Sequence, residues 1–251
     1  MSTSAATIQA HLKTVEDERA RRAGSPRLAA KVIALKVYQQ RRFAHTYADL
    51  LDSKRYGAAS RFFLDELYGP TDFTQRDAQF ARVVPALVRL FPSEIVETVE
   101  SLAALHALSE SLDSAMGIHL EAEAIESLSG LDYIGAWQAT ARGADRAAQV
   151  ALTLVVAARL DRLTRGLLVR NSLRLMRGPA RAAGLSDLQH FLEAGFKTFR
   201  EMNGADDFMA IVDERERSLA SALFGAAIED AGHPVTNHAL TRLPLSEIVK
   251  R

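Results

Sequence analysis

Apolar residues recur along this chain at intervals of three and four, and alternation with period two never lasts the length of a strand. The first run places Ile8, Leu12 and Val15 on one side of a helix over Ala5 to Arg22, which ends in the charged stretch "EDERARR". Ser25 before Pro26 reads as an N-cap with proline in the first turn, where its missing N–H costs nothing. A long helix is expected from there to about Leu51, with Leu28, Val32, Leu35, Tyr38 and Arg42 along one stripe. Ala58 to Tyr68 forms a short helix that Gly69 and Pro70 stop. Thr74, with Asp77 three residues on, predicts a capping box for the next helix, and Pro85 inside it predicts a kink or break. Pro92 and Ser93 open a helix over Glu94 to Met116 that Gly117 closes. The remaining segments are a weaker helix over Leu120 to Leu128, one over Leu131 to Arg142 holding Trp137, and a long one from Ala144 to Met176. Two more cover Asp187 to Met202, opened by Ser186 with Gln189 and stopped at Asn203 and Gly204, and Ala205 to Phe224.

This pattern predicts an all-α protein, a single multi-helix bundle of about eight helices over residues 25–225. An N-terminal helical arm (1–24) and a C-terminal tail (226–251) flank it, the tail because "EDAGHPVTNHALTRLPLSEIVKR" mixes helix breakers with few apolar residues. The most apolar run, "AAQVALTLVVAARL" from Ala147 to Leu160, is shorter than the roughly 20 residues a membrane span needs and reads as a buried core helix.

Composition narrows the function classes. Lysine plus arginine and aspartate plus glutamate both number 31, so no global charge favours nucleic acid or acidic lipid. There is no cysteine, which excludes disulfides, thiolate metal sites and a cysteine nucleophile, and fits a cytoplasmic location. No glycine-rich phosphate loop, nucleophile elbow or zinc-binding His-Glu-x-x-His is present.

Two constellations carry candidate chemistry. His106, Glu110 and Asp113 recur at i, i+4 and i+7 and so share one flank of their helix. An imidazole and two carboxylates are the right types for a metal, for a haem with His106 as axial ligand, or for acid–base work. The same residues suit a purely structural role, with His106 bonded to Glu110 and Asp113 paired with an arginine of a neighbouring helix. The second constellation is basic: Arg159, Arg170, Arg174 and Arg177 fall within about a sixth of a turn of one another on an unbroken helix. Such a stripe suits an anionic small molecule or an acidic protein partner. It equally suits pairing with "DDF" at Asp206 and "DERE" at Asp213 to Glu216 within the fold. No aromatic residues are interleaved with it, which argues against nucleic acid. Self-association through a long amphipathic helix is a further expectation.

One corner, "RFFLDELYGPTDFTQRD" from Arg61 to Asp77, holds more charge than a turn requires: Arg61, Asp65, Glu66, Asp72 and Arg76 are expected to pair. Together with "LHALSESLD" at Leu105, "PARAAGLSDLQHFLEAGFKTFREM" at Pro179 and "GADDFMAIVDERE" at Gly204, this corner resembles an uncharacterised family of bacterial all-helical proteins, a domain of unknown function, sharing the pattern RFFLxELYGPxDFxxRD. The resemblance implies a complete helical domain and brings no activity, substrate, cofactor or catalytic residue with it. Two functional readings follow: a non-catalytic helical module using the arginine stripe, or a metal- or haem-dependent enzyme or sensor using His106, Glu110 and Asp113.

Overall fold

The computed structural model describes residues 3–66, 70–120, 128–225 and 239–244. Among them are eleven α-helices and no strand: α1 (Thr3–Ala23), α2 (Pro26–Thr46), α3 (Ala48–Leu51), α4 (Gly57–Glu66), α5 (Thr74–Leu90), α6 (Ser93–His119), α7 (Gly130–Ala139), α8 (Gly143–Arg165), α9 (Leu167–Ala182), α10 (Ser186–Met202) and α11 (Asp206–Gly225). The weaker helix expected over Leu120 to Leu128 lies almost wholly outside the described residues.

Helix α6 is the axis of the fold and packs against α1, α2, α7 and α8. Gly117 does not end it. The helix runs on to His119, and a Cβ at Gly117 would stand 2.6 Å from Val32 Cγ2, so this glycine serves the close approach of α2. Helix α10 forms a second hub against α4, α5, α8 and α9, while α11 packs on α7 and α8. Apolar side chains gather in three places. Leu35, Met116, Ile134 and Leu223 join α2, α6, α7 and α11; Phe43, Ala59, Phe199 and Phe208 join α2, α4, α10 and α11; Ile8, Val84 and Val96 join α1, α5 and α6.

The N-terminal helical arm packs on the bundle. Ile8, Leu12 and Val15 are buried, and α1 lies along α5 and α6. Its charged end is short of apolar residues, yet three apolar side chains at helical spacing suffice to cover the groove between two neighbours. In the tail, Ala239, Leu240 and Leu243 are likewise buried in the first cluster.

Boundaries moved where one residue decided them. The long second helix breaks at Tyr47 (φ −117°) into α2 and α3. The helix expected over Ala144 to Met176 breaks at Gly166, whose ψ of 137° is extended; glycine is the poorest helix former after proline. Helix α8 is therefore not a core helix throughout: Val156 and Ala157 are buried, but Val155 is exposed. Pro85 lies inside an unbroken α5.

Apart from Gly117, helix ends were read correctly at Ser25 and Asn203 and incorrectly at Thr74 and Ser186. Ser25 Oγ accepts from Leu28 N–H at 3.4 Å, and Asn203 (φ 53°) with Gly204 ends α10 in left-handed backbone. Thr74 does not cap α5; Asp72 Oδ1 instead accepts from Thr74 N–H at 2.9 Å. Ser186 lies inside α10 rather than capping it. There the turn is held by Gly184 at φ +69°, with Leu185 N–H on Ala180 O and Gly184 N–H on Arg181 O, a Schellman motif closing α9.

Candidate functional site

The Asp77 freed from capping turns into the protein. His106 Nε2 donates to Asp77 Oδ2 at 2.9 Å, and Arg19 from α1 donates to the same oxygen at 2.7 Å. One turn along α6, Glu110 accepts from Arg22 through Oε2 and from Lys36 through Oε1, the latter at 2.9 Å. Arg22 also donates to Ser114 Oγ at 2.8 Å. A turn further on, Asp113 accepts from Gln39 at 3.0 Å and lies 3.8 Å from Lys36 Nζ. His106, Glu110 and Asp113 do share one flank, and the structure joins them into a single network with α1, α2 and α5. His106 bonds Asp77 rather than Glu110, because Asp77 approaches from across the helix interface while Glu110 is engaged by two cations.

Burial and charge act in opposite directions here. Burial pushes Glu110 up, but Lys36 and Arg22 outweigh it and hold the carboxyl at about 2. Burial also opposes ionisation of Asp77, yet the hydrogen bond from His106 and the charge of Arg19 bring it below its ordinary value. Asp113 is raised, because its burial outweighs Lys36 and the neighbouring Glu110 adds repulsion. Three carboxylates thus meet three cations, Arg19, Arg22 and Lys36, in a nearly closed layer. Among the described residues no group of three or more histidines, aspartates and glutamates is poised to hold a metal ion.

The arginine stripe is divided by the break at Gly166. Arg159, on α8, donates to Glu97 O and to Ser101 Oγ of α6, the latter at 3.0 Å, and so is spent on packing. Arg177 makes a forked pair with Glu193 of α10 at 2.6 and 2.9 Å. Arg170, Arg174 and Arg181 are exposed and have no partner among the described residues. On α9 they lie with Arg177 within about a sixth of a turn. That helix carries no acid, and Leu175 beside Arg174 is 76% exposed. Three of the five acids expected to answer the stripe are used elsewhere: Glu216 pairs with Arg42, Asp213 with Arg217, and Asp207 with Arg55.

Two clefts stand out among the described residues. One, of about 330 Å³, lies at the charged corner and is lined by Glu66, Asp72, Phe73, Gln75, Arg76, Asp187 and His190. Arg76 fills one wall, sandwiched over the rings of Phe73 and Phe191 and donating to Glu66 O at 3.0 Å, while Arg61 donates to Leu51 O. Of the pairing expected at this corner, Arg76 meets Glu66 at 3.7 Å, whereas Arg61 is spent on a backbone carbonyl and Asp72 on Thr74 N–H. The other cleft, of about 50 Å³, lies between α2, α4, α8 and α11. It is walled by apolar side chains such as Phe63, Leu154 and Val212, with Thr153 and Glu216 among its polar lining. Sequence reading missed this cleft and the network's partners Arg19, Arg22, Lys36, Gln39 and Asp77. The "DERE" stretch was the only signal for Glu216, and it pointed to the wrong arginines.

The model of one protein family, described as Domain of unknown function (DUF8198), matches residues 18–229. The chain belongs to this family. For DUF8198 the match spans the ionic layer, α9 and both clefts, and starts inside α1. No curated protein and no solved structure matches the chain. Among the described residues of this DUF8198 member, no helix is long and apolar enough to cross a membrane.

Proposed function

We propose that this protein is a non-catalytic binding module whose α9 docks an acidic, partly apolar segment of a protein partner. The observation that carries this reading is the outer face of α9. Arg170, Arg174 and Arg181 lie in one row without partners among the described residues, and Leu175 and Met176 are exposed nearby. Carboxylates spaced along a partner helix would meet the row, and apolar side chains between them would cover Leu175. A protruding helix offers a small anion few enclosing groups, which favours a partner with its own surface. The flank of His106, Glu110 and Asp113 supports a metal or haem centre less well, because Arg22, Lys36 and Gln39 already occupy the carboxylate oxygens.

A synthetic helical peptide with glutamates and leucines at alternate turns tests the reading by fluorescence anisotropy at low and moderate salt. Binding is expected at low salt and is expected to weaken at 0.1 M, where the Debye length falls to about 10 Å. Replacing Arg170, Arg174 and Arg181 together by alanine should weaken it about tenfold, as roughly 0.5 kcal/mol for each of three exposed pairs predicts. Unchanged binding would make the stripe structural. Citrate binding as tightly as the peptide, with the same residue dependence, would reassign the stripe to a small anion.

A further inference from the structure

We infer that the cleft between α2, α4, α8 and α11 is a binding site for a small apolar molecule that ends in a hydrogen-bond donor, an alcohol or a primary amine. The walls set the first half of this specificity: Phe63, Leu154, Phe208 and Val212 give a chain or ring no hydrogen-bonding partner, so the body of the ligand must be apolar. The polar end sets the second half. Thr153 spends its hydroxyl hydrogen on Gln149 O at 2.9 Å, which leaves its oxygen as an acceptor. Glu216 takes Arg42 at 2.5 Å and Tyr47 at 2.7 Å, both on Oε1, and its Oε2 receives no hydrogen bond from the described residues. Gln149 is committed at both ends, accepting from Arg146 and donating to Ser109. Two residues that line this mostly apolar slot therefore each keep an acceptor oxygen. A carboxylate-headed molecule would bring acceptors to acceptors and a negative charge to Glu216. A head carrying N–H or O–H would donate to one of these oxygens. The site is independent of α9, so the two readings stand or fall separately.

Short probes suit the size of the slot, and 1-butanol, butylamine and butyrate differ only in the head group. Binding to the full-length protein is followed by NMR shifts of Thr153, Met209 and Val212 and by the thermal midpoint. Butanol or butylamine should shift these resonances while butyrate does not. Thr153→Val keeps the shape and removes one acceptor, and should weaken the donor-headed probes about fivefold, the equivalent of one net hydrogen bond. Val212→Trp fills the cleft from a half-buried wall position and should abolish the shifts of Thr153 and Met209 while the circular dichroism spectrum is unchanged. No binding of either donor-headed probe, equal binding of butyrate, or shifts that survive Val212→Trp in a folded protein would each overturn the proposal.

Discussion

Glu110 shows how a buried carboxylate becomes a stability element. Only 4% exposed, it stays ionised because Lys36 and Arg22 more than offset its burial. Its folded value of about 2 lies below the ordinary 4.5, so its contribution is fully present above pH 4.5 and is lost as pH falls toward 2. The linked stability is on the order of 3 kcal/mol. Asp77, also lowered, acts in the same sense. Asp113 opposes them: being raised, it contributes most below its ordinary 3.8 and loses that contribution as pH rises through its folded value. Denaturant melts from pH 7 to 2.5 should therefore show stability falling below about pH 4.5, with a shallower fall in Glu110→Gln. Replacing Arg22 by methionine leaves Glu110 with Lys36 and the more distant Arg19 and should cost about 3 kcal/mol at neutral pH, read from the urea midpoint.

Glycines in helices separate two kinds of cost. Gly117 is in α6 where α2 comes closest, and the facing atom belongs to Val32, a β-branched side chain with little rotameric freedom. Gly117→Ala should destabilise by about 1–2 kcal/mol in thermal or urea melts despite alanine's better helix propensity. Gly135, in α7, has nothing within 4 Å of a built Cβ, so Gly135→Ala should stabilise by roughly 0.5–1 kcal/mol. The contrast also explains why closing α6 at Gly117 was a misreading. Glycine signals either left-handed backbone or close approach, and the sequence around it is the same in both cases. Where left-handed backbone was needed, at Asn203 and Gly204, the dipeptide named the stop correctly.

The bundle as a whole depends on its first helix. Helix α1 supplies Ile8, Leu12 and Val15 to one apolar cluster and Arg19 and Arg22 to the ionic layer. A variant lacking residues 1–24 should lose more than the burial of those side chains, about 1.5–3 kcal/mol each, because Glu110 and Asp77 would also lose partners. Calorimetry should show a transition lowered by at least 10 °C or a loss of cooperative unfolding. A midpoint within 2 °C of the parent's would mean that α1 only rests on the surface. The start of the family match inside α1, at residue 18, makes this a test of what the family's fold requires.

Helical periodicity, prolines and local caps were enough to place nearly every described helix, because those signals act over three or four residues and need no partner. The common flank of His106, Glu110 and Asp113 was legible for the same reason. Its role was not: Asp77 is 29 residues from His106 in the chain, and Lys36 and Gln39 are each 74 residues from the carboxylates they meet. The arginine stripe failed differently. One extended residue, Gly166, rotated Arg159 away from the rest, and the neighbours α6 and α10 then took Arg159 and Arg177 while leaving Arg170 and Arg174 in water. Propensity and capping belong to short windows of sequence, whereas which charge is buried, paired or left exposed depends on packing between helices distant in the chain.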